Sequence, residues 1–164
     1  MYSIVISVQK QKLYLIKDAK VVKVYPVSTS IFGVGNREGS NKTPLGLHRI
    51  VSKIGRNARP GEIFRARRRT GKIARRARKS REDLITSRIL RLEGLEKGVN
   101  RGRGIDSFKR CIYIHGTPQE YLIGKPASHG CIRMKNSDIV ELFKQVPRGT
   151  LVLIKKMITT TLKT

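Results

Sequence analysis

The 164-residue chain is poor in negative charge, in cysteine and in aromatic side chains. Eleven Asp and Glu stand against 36 Lys and Arg, a formal net charge of +25 at pH 7. That imbalance implies a polyanionic partner or surrounding, whether nucleic acid, anionic lipid or cell-envelope polymer, and says nothing of catalysis. Trp is absent and aromatics reach only 5%. With no nucleic-acid motif either, a nucleic-acid role would have to rest on phosphate contacts alone. Two cysteines cannot build a disulfide framework, which leaves a single Cys111–Cys131 bridge as the alternative to two free thiols. Three histidines without a C-x-x-C or H-x-x-x-H pair argue against zinc held by His115, His129 and Cys131 with Cys111 or His48 as a fourth ligand. No metal and no cofactor is expected. The glycines from Gly33 to Gly39 do not have dinucleotide-loop spacing. No apolar run approaches the ~20 residues of a membrane span. The opening Met1–Val8 has neither the basic start nor the long apolar stretch and cleavage site of an export signal.

What is present reads mainly as strands. The chain has the length of one domain and can bury a core without staples. Ser3–Val8 and Lys12–Ile16 alternate in polarity around Gln9–Gln11 and predict a hairpin, extended by Val21–Tyr25 and 26–30. Thr43-Pro44-Leu45-Gly46 reads as a turn into a strand over Leu47–Val51. Leu84–Leu92, Cys111–His115 and Thr150–Ile154 are further strands. One helix is expected over Ser137–Val146, with Asn136 or Ser137 as cap, since Ile139, Leu142, Phe143 and Val146 share one face. Between Lys53 and Arg110 lie twenty Lys and Arg against six acids. Arg65, Arg67, Arg68, Arg69, Arg75, Arg76, Arg78 and Arg81 crowd one segment, read mostly as loop because like charges oppose a helical turn over 73–78.

The chemistry is concentrated in Ile114-His115-Gly116-Thr117 and Ser128-His129-Gly130-Cys131-Ile132-Arg133. A thiol is a strong nucleophile as thiolate, a form that a nearby imidazole or positive charge favours. Gly130 permits close backbone approach, and amides around Cys131 could face a developing oxyanion. Arg133 has the fork that suits a carboxylate, or it supports the loop; Ser128 and Thr117 could donate hydrogen bonds nearby. The bland alternatives are a structural buried cysteine at Cys131 and a core histidine at His115.

These two segments resemble the active-site signature of bacterial L,D-transpeptidases, the YkuD-type catalytic domain. Asn41–Gly46 resembles that family's Thr-Pro-x-Gly segment, and Ser137–Val140 with Gly149–Ile154 resembles its closing helix and strand. Residues 1–52 and 105–155 match well; 53–104 match poorly apart from Thr86–Leu90. The resemblance implies a mainly β, compact sandwich or barrel with one helix in the C-terminal half. It implies a single catalytic domain over 1–155, a divergent, irregular basic insertion over 53–104 and a tail over 156–164. It also implies that Cys131 is the nucleophile, that His115 is the base oriented by the Gly116 carbonyl, and that His129 supports the nucleophile loop. The substrate would be a peptidoglycan stem peptide, handled through a thioester in the cell envelope. Water as acceptor would make the chain an L,D-carboxypeptidase. A non-catalytic basic nucleic-acid-binding protein is the competing class. The stretch Arg65–Arg81 is expected to dock anionic envelope polymers without joining the catalytic machinery.

Overall fold

The computed structural model describes residues 1–74 and 82–158. The expected turn over 73–78, and Arg75, Arg76, Arg78 and Arg81 with it, therefore lie largely outside the described residues. The alternating N-terminal third forms β1 (Tyr2–Ser7), β2 (Lys12–Lys17) and β3 (Lys20–Pro26), an antiparallel meander. Residues 27–30 do not continue as a strand; Ser28 and Ser30 make isolated bridges to Arg133 and Ser128, which ties this segment to the residues on either side of Cys131. Further on come β4 (Gly46–Ile54), β5 (Glu62–Arg65), β6 (Arg68–Ile73), β7 (Ile85–Gly94), β8 (Tyr113–Gly116), β9 (Ile132–Met134), the helix α1 (Asn136–Gln145) and β10 (Leu151–Lys155).

The strands form one open mixed sheet in the order β3-β2-β1-β10-β4-β7-β5-β6, with β8 and β9 branching from β7. β1 runs parallel to β10, and β8 parallel to β9; the other pairs are antiparallel. The mainly β class, with a single α-helix among the described residues, is as expected. The basic middle is more regular than its charge suggests. β5 and β6 form a hairpin that leaves most cationic side chains in water, where like charges repel weakly. The buried Glu62 accepts two 2.9 Å hydrogen bonds from Arg69, which hold its carboxyl down at about 2. The hairpin turns through Ala66 (φ 47°) and Arg67 (φ 65°), two left-handed residues in succession without glycine or asparagine.

Period-two alternation sorts the sheet into two faces. Ile4, Ile6, Leu13, Leu15, Ile50, Leu90, Leu92, Ile114, Ile132 and Met134 pack with Ile139, Leu142, Phe143 and Val146 of α1 in the main core. The intervening residues Ile54, Phe64, Ile89 and Tyr113 form a second, smaller cluster on the opposite face, against which Cys111 and Cys131 pack. Burying some twenty apolar side chains at about 1.5–3 kcal/mol each is the main force fixing these registers. Neither expected cap closes the helix with its side chain. Lys135 is the capping position, and Asn136 turns its amide elsewhere.

Candidate active site

Strands β8 and β9 bring the two motifs together. Their parallel register sets His115 beside Arg133, and β7 sets Ile89 beside His115. All three therefore share the face of the smaller cluster, where Cys131 packs. His115 is buried, and its Nδ1 lies 2.7 Å from the Gly116 carbonyl. A carbonyl only accepts, so Nδ1 carries the proton and Nε2 keeps a lone pair for proton abstraction. Burial pushes the His115 imidazole below its ordinary value of 6.5, although Asp83 and the Gly116 bond pull the other way. The His115 imidazole is thus neutral at physiological pH.

Cys131 Sγ accepts a 3.4 Å hydrogen bond from the Tyr113 N–H and donates one of 3.4 Å to the Cys111 carbonyl. Burial pushes its thiol up to about 12, only partly offset by the Tyr113 N–H. The resting pair is therefore a neutral thiol and a neutral imidazole, not a preformed ion pair. Both cysteines are free. Cys111 has φ 57° just before β8, so it lies in a turn outside the strand to which alternation had assigned it.

The loop before Cys131 is tightly bound. Ser128 Oγ donates to the Cys131 carbonyl at 2.6 Å and accepts from the Gly130 N–H at 3.3 Å. Thr43 of the Thr-Pro-x-Gly segment donates to the Gly130 carbonyl at 3.0 Å, which explains why that segment accompanies the motif. Gly130 has φ 124°, a left-handed conformation, and a Cβ there would come within 3.3 Å of the Lys42 carbonyl. A Cβ on Gly116 would come within 2.6 Å of the Thr86 carbonyl and 2.7 Å of Asn136 Oδ1. The Gly130 N–H, one of the expected oxyanion donors, is thus turned toward Ser128.

Arg133 is 2% exposed. Its guanidinium bonds Asp83 Oδ1 at 2.7 Å and Gln119 Oε1 at 3.1 Å. A substrate carboxylate could reach it only by displacing these partners, so of its two expected roles this placement suits loop support. Thr117 is also buried, and its Oγ1 accepts from the Gln119 N–H at 3.1 Å, shaping the turn after β8. His129 is exposed; its Nδ1–H donates to Asp83 Oδ2 at 3.0 Å.

Asp83 is the residue that sequence reasoning missed. Burial alone would raise its carboxyl, but hydrogen bonds from Arg133 and His129 and the charges around it hold the carboxyl below the usual range. One signal pointed to it: an arginine inside an apolar strand needs a counter-charge, and the chain has few acids to supply one. Two other contributors were not foreseen. Asn136 Oδ1 accepts from Thr86 and Ser87, and its amide donates to the Thr117 carbonyl at 3.1 Å, bracing α1 against β7 and the end of β8. Arg67 donates to Tyr113 Oη at 3.2 Å, so the β5–β6 turn reaches the residue whose N–H holds the Cys131 sulfur. The basic hairpin is therefore not remote from the site. His48 Nδ1 donates to the Gly46 carbonyl and its Nε2 accepts from Ser107, and among the described residues no group of three or more His, Cys, Asp or Glu converges as a metal site. No helix among them is long and apolar enough to cross a membrane.

Comparison with known proteins points to one family. The family model described as YkuD, L,D-transpeptidase catalytic domain, matches residues 1–154. The L,D-transpeptidase relative YqjB of Bacillus subtilis (strain 168) is 56% identical over 45 residues, 27% of this chain and 26% of its own. The L,D-transpeptidase relative YcfS of Escherichia coli (strain K12) is 30% identical over 92% of this chain and 43% of its own. L,D-transpeptidase 3 from Mycobacterium tuberculosis, in complex with a faropenem-derived adduct, shares the fold. Its TM-score is 0.54 at 17% identity, covering 94% of this chain and 57% of that one. The chain thus spans under half the length of these curated relatives.

Proposed function

Because this chain belongs to the YkuD family of L,D-transpeptidase catalytic domains, we propose that it transfers acyl groups from peptidoglycan stem peptides through a thioester on Cys131. The observation that carries the reading is the His115 tautomer: Nδ1–H bound to the Gly116 carbonyl at 2.7 Å leaves Nε2 as acceptor on the face that holds the thiol. As the donor carbonyl arrives, Nε2 takes the thiol proton and sulfur attacks, forming the C–S bond. The tetrahedral intermediate collapses, its C–N bond breaks, and His115 returns the proton to the departing amine, commonly a terminal D-alanine. The Tyr113 N–H remains bound to sulfur as its charge develops. The Cys131 backbone N–H is the oxyanion donor, since the Gly130 N–H faces Ser128. An amine from a second stem then attacks the thioester; water there would give L,D-carboxypeptidase activity.

Purified tetrapeptide muropeptides, incubated with the protein and read by mass spectrometry, test this directly. Loss of the terminal residue and a cross-linked or exchanged product are expected. No turnover, with nucleic acid bound tightly at the same salt, would favour the non-catalytic reading. A carbapenem should add covalently to Cys131, because its strained carbonyl offers sulfur the same electrophile; an unchanged intact mass in a turnover-competent sample would oppose the mechanism. The envelope is the compartment this substrate requires.

A further inference from the structure

On the α1 side of the sheet, opposite Cys131, lies a cleft of about 620 Å³ lined by Lys53, Arg56, Asn57, Arg88, Phe143 and Lys144. Register places it: Lys53 faces Leu90, and Arg88 is two residues from Leu90, so both side chains fall on the helix face, whereas Ile54 and Ile89 face the cysteine. Four cations and no carboxylate line the cleft, and none of the four forms an ion pair among the described residues.

Two of these cations are fixed in place. Arg88 is 7% exposed; its Nη1 donates to the Ala58 and Ser87 carbonyls, both at 2.7 Å, and its guanidinium lies 5.5 Å from the Phe143 ring centre. Lys53 Nζ sits 4.4 Å from the same centre and donates to the Phe143 and Val146 carbonyls at 2.6 Å each. Lys53 thus covers the negative end of α1, which would otherwise repel an anion. An ammonium has three N–H donors and a guanidinium five, so both heads retain donors after these bonds. Burial and the neighbouring Arg56 press the Lys53 ammonium down; burial and nearby Arg69 do the same to Arg88, against an opposing pull from Glu62, which is itself bonded to Arg69. Glu62 is committed to Arg69, so among the described residues Arg88 is buried with no carboxylate in direct contact, whereas buried charge is ordinarily paired.

We propose that this cleft is an anion site for a phosphoryl group, separate from the acyl-transfer centre. A carboxylate satisfies one fork; a phosphoryl group has several oxygens to accept from donors converging from β4, the β4–β5 loop, β7 and α1. Phe143 is nearly buried and packs against the cations, leaving no ring face on which to stack a base. The ligand is therefore recognised through its phosphate.

The test is a titration of the whole chain with inorganic phosphate and pyrophosphate at constant ionic strength, followed by amide chemical shifts. Saturable shifts are expected at 53–57, at 88 and at 143–146. The exposed Arg56→Ala/Lys144→Ala variant should weaken binding at least tenfold. Arg65→Ala/Arg68→Ala, which removes the same charge from the β5–β6 hairpin, should change it less than twofold. Shifts that do not saturate, or equal weakening by both variants, would overturn the site in favour of diffuse attraction. Glycerol 3-phosphate against glycerophosphoglycerol then separates a terminal phosphate from one inside a chain. Failure of both esters where pyrophosphate binds would overturn the phosphoryl-ester assignment.

Discussion

The two faces of β7 treat charge in opposite ways. On the cysteine side, the buried Arg133 has Asp83 and Gln119 as partners, and the Cys131 thiol and His115 imidazole are both neutral at rest. On the helix side, Lys53, Arg56, Arg88 and Lys144 line a cleft with no carboxylate among them. Ile89 and Arg88 are neighbours in sequence, yet one supports the smaller cluster beside Cys131 and the other the cationic cleft. Beside Cys131 and His115 the buried charge is closed into a pair; in the cleft the charges are left for a ligand.

The comparison breaks most severely at the nucleophile. Cys131→Ala should reduce acyl transfer to background, at least 10³-fold, with an unchanged fold by circular dichroism and no acyl-enzyme mass. Wild-type turnover in this variant would refute the thioester. Replacing His115 with Gln should cost about 10²–10⁴-fold, the usual contribution of a positioned base. The pH profile adds a sign. His115 is active when neutral and its imidazole is depressed, so the acid limb of kcat/KM should lie below 6.5. A limb at or above 6.5 would mean a different base.

Opening the ion pair comes next. Asp83→Asn leaves Arg133 buried without counter-charge and should destabilise the fold by about 3 kcal/mol in denaturant melts. Because the Asp83 carboxyl is depressed in the fold, its stabilisation is present above the ordinary carboxylate value of 3.8 and is lost as pH falls through the lower folded value. The variant should therefore have a flatter acid limb of stability than the parent; identical limbs would remove Asp83 from this role. Arg67→Ala should lower turnover a few-fold by loosening Tyr113, measured on a small soluble donor peptide. No change there would return the hairpin to a docking role alone, as its charge first suggested. The smallest effect is expected at Cys111. Cys111→Ala should keep most activity, since it is the Cys111 backbone carbonyl that meets the Cys131 sulfur.

The sequence made some of this legible and not the rest, for physical reasons. Alternation marked β1, β2 and β10 because each buries one face, and the apolar stripe marked α1. The β5–β6 hairpin was hidden because its pattern is written in arginine, and its turn lacks the glycine that usually announces two left-handed residues. That Cys131 and His115 belong to one site was readable from a compact motif. Asp83 was not, because an ion pair between the segment before β7 and the distant strand β9 leaves no local period. Nor was the cleft, since Lys53, Arg88 and Lys144 come together only through the register of β4 with β7 and the packing of α1.

β10 is inserted between β1 and β4, and it is what joins the β1–β3 meander to the rest of the sheet. On a ribosome, β1 therefore emerges long before the strand that will flank it, and for most of synthesis its edge has no neighbour. Contacts this distant in sequence are slow to form. The meander should therefore be the part of the nascent chain most dependent on chaperones, and chains stalled before Leu151 should expose Ile4 and Ile6 to protease while full-length chains protect them.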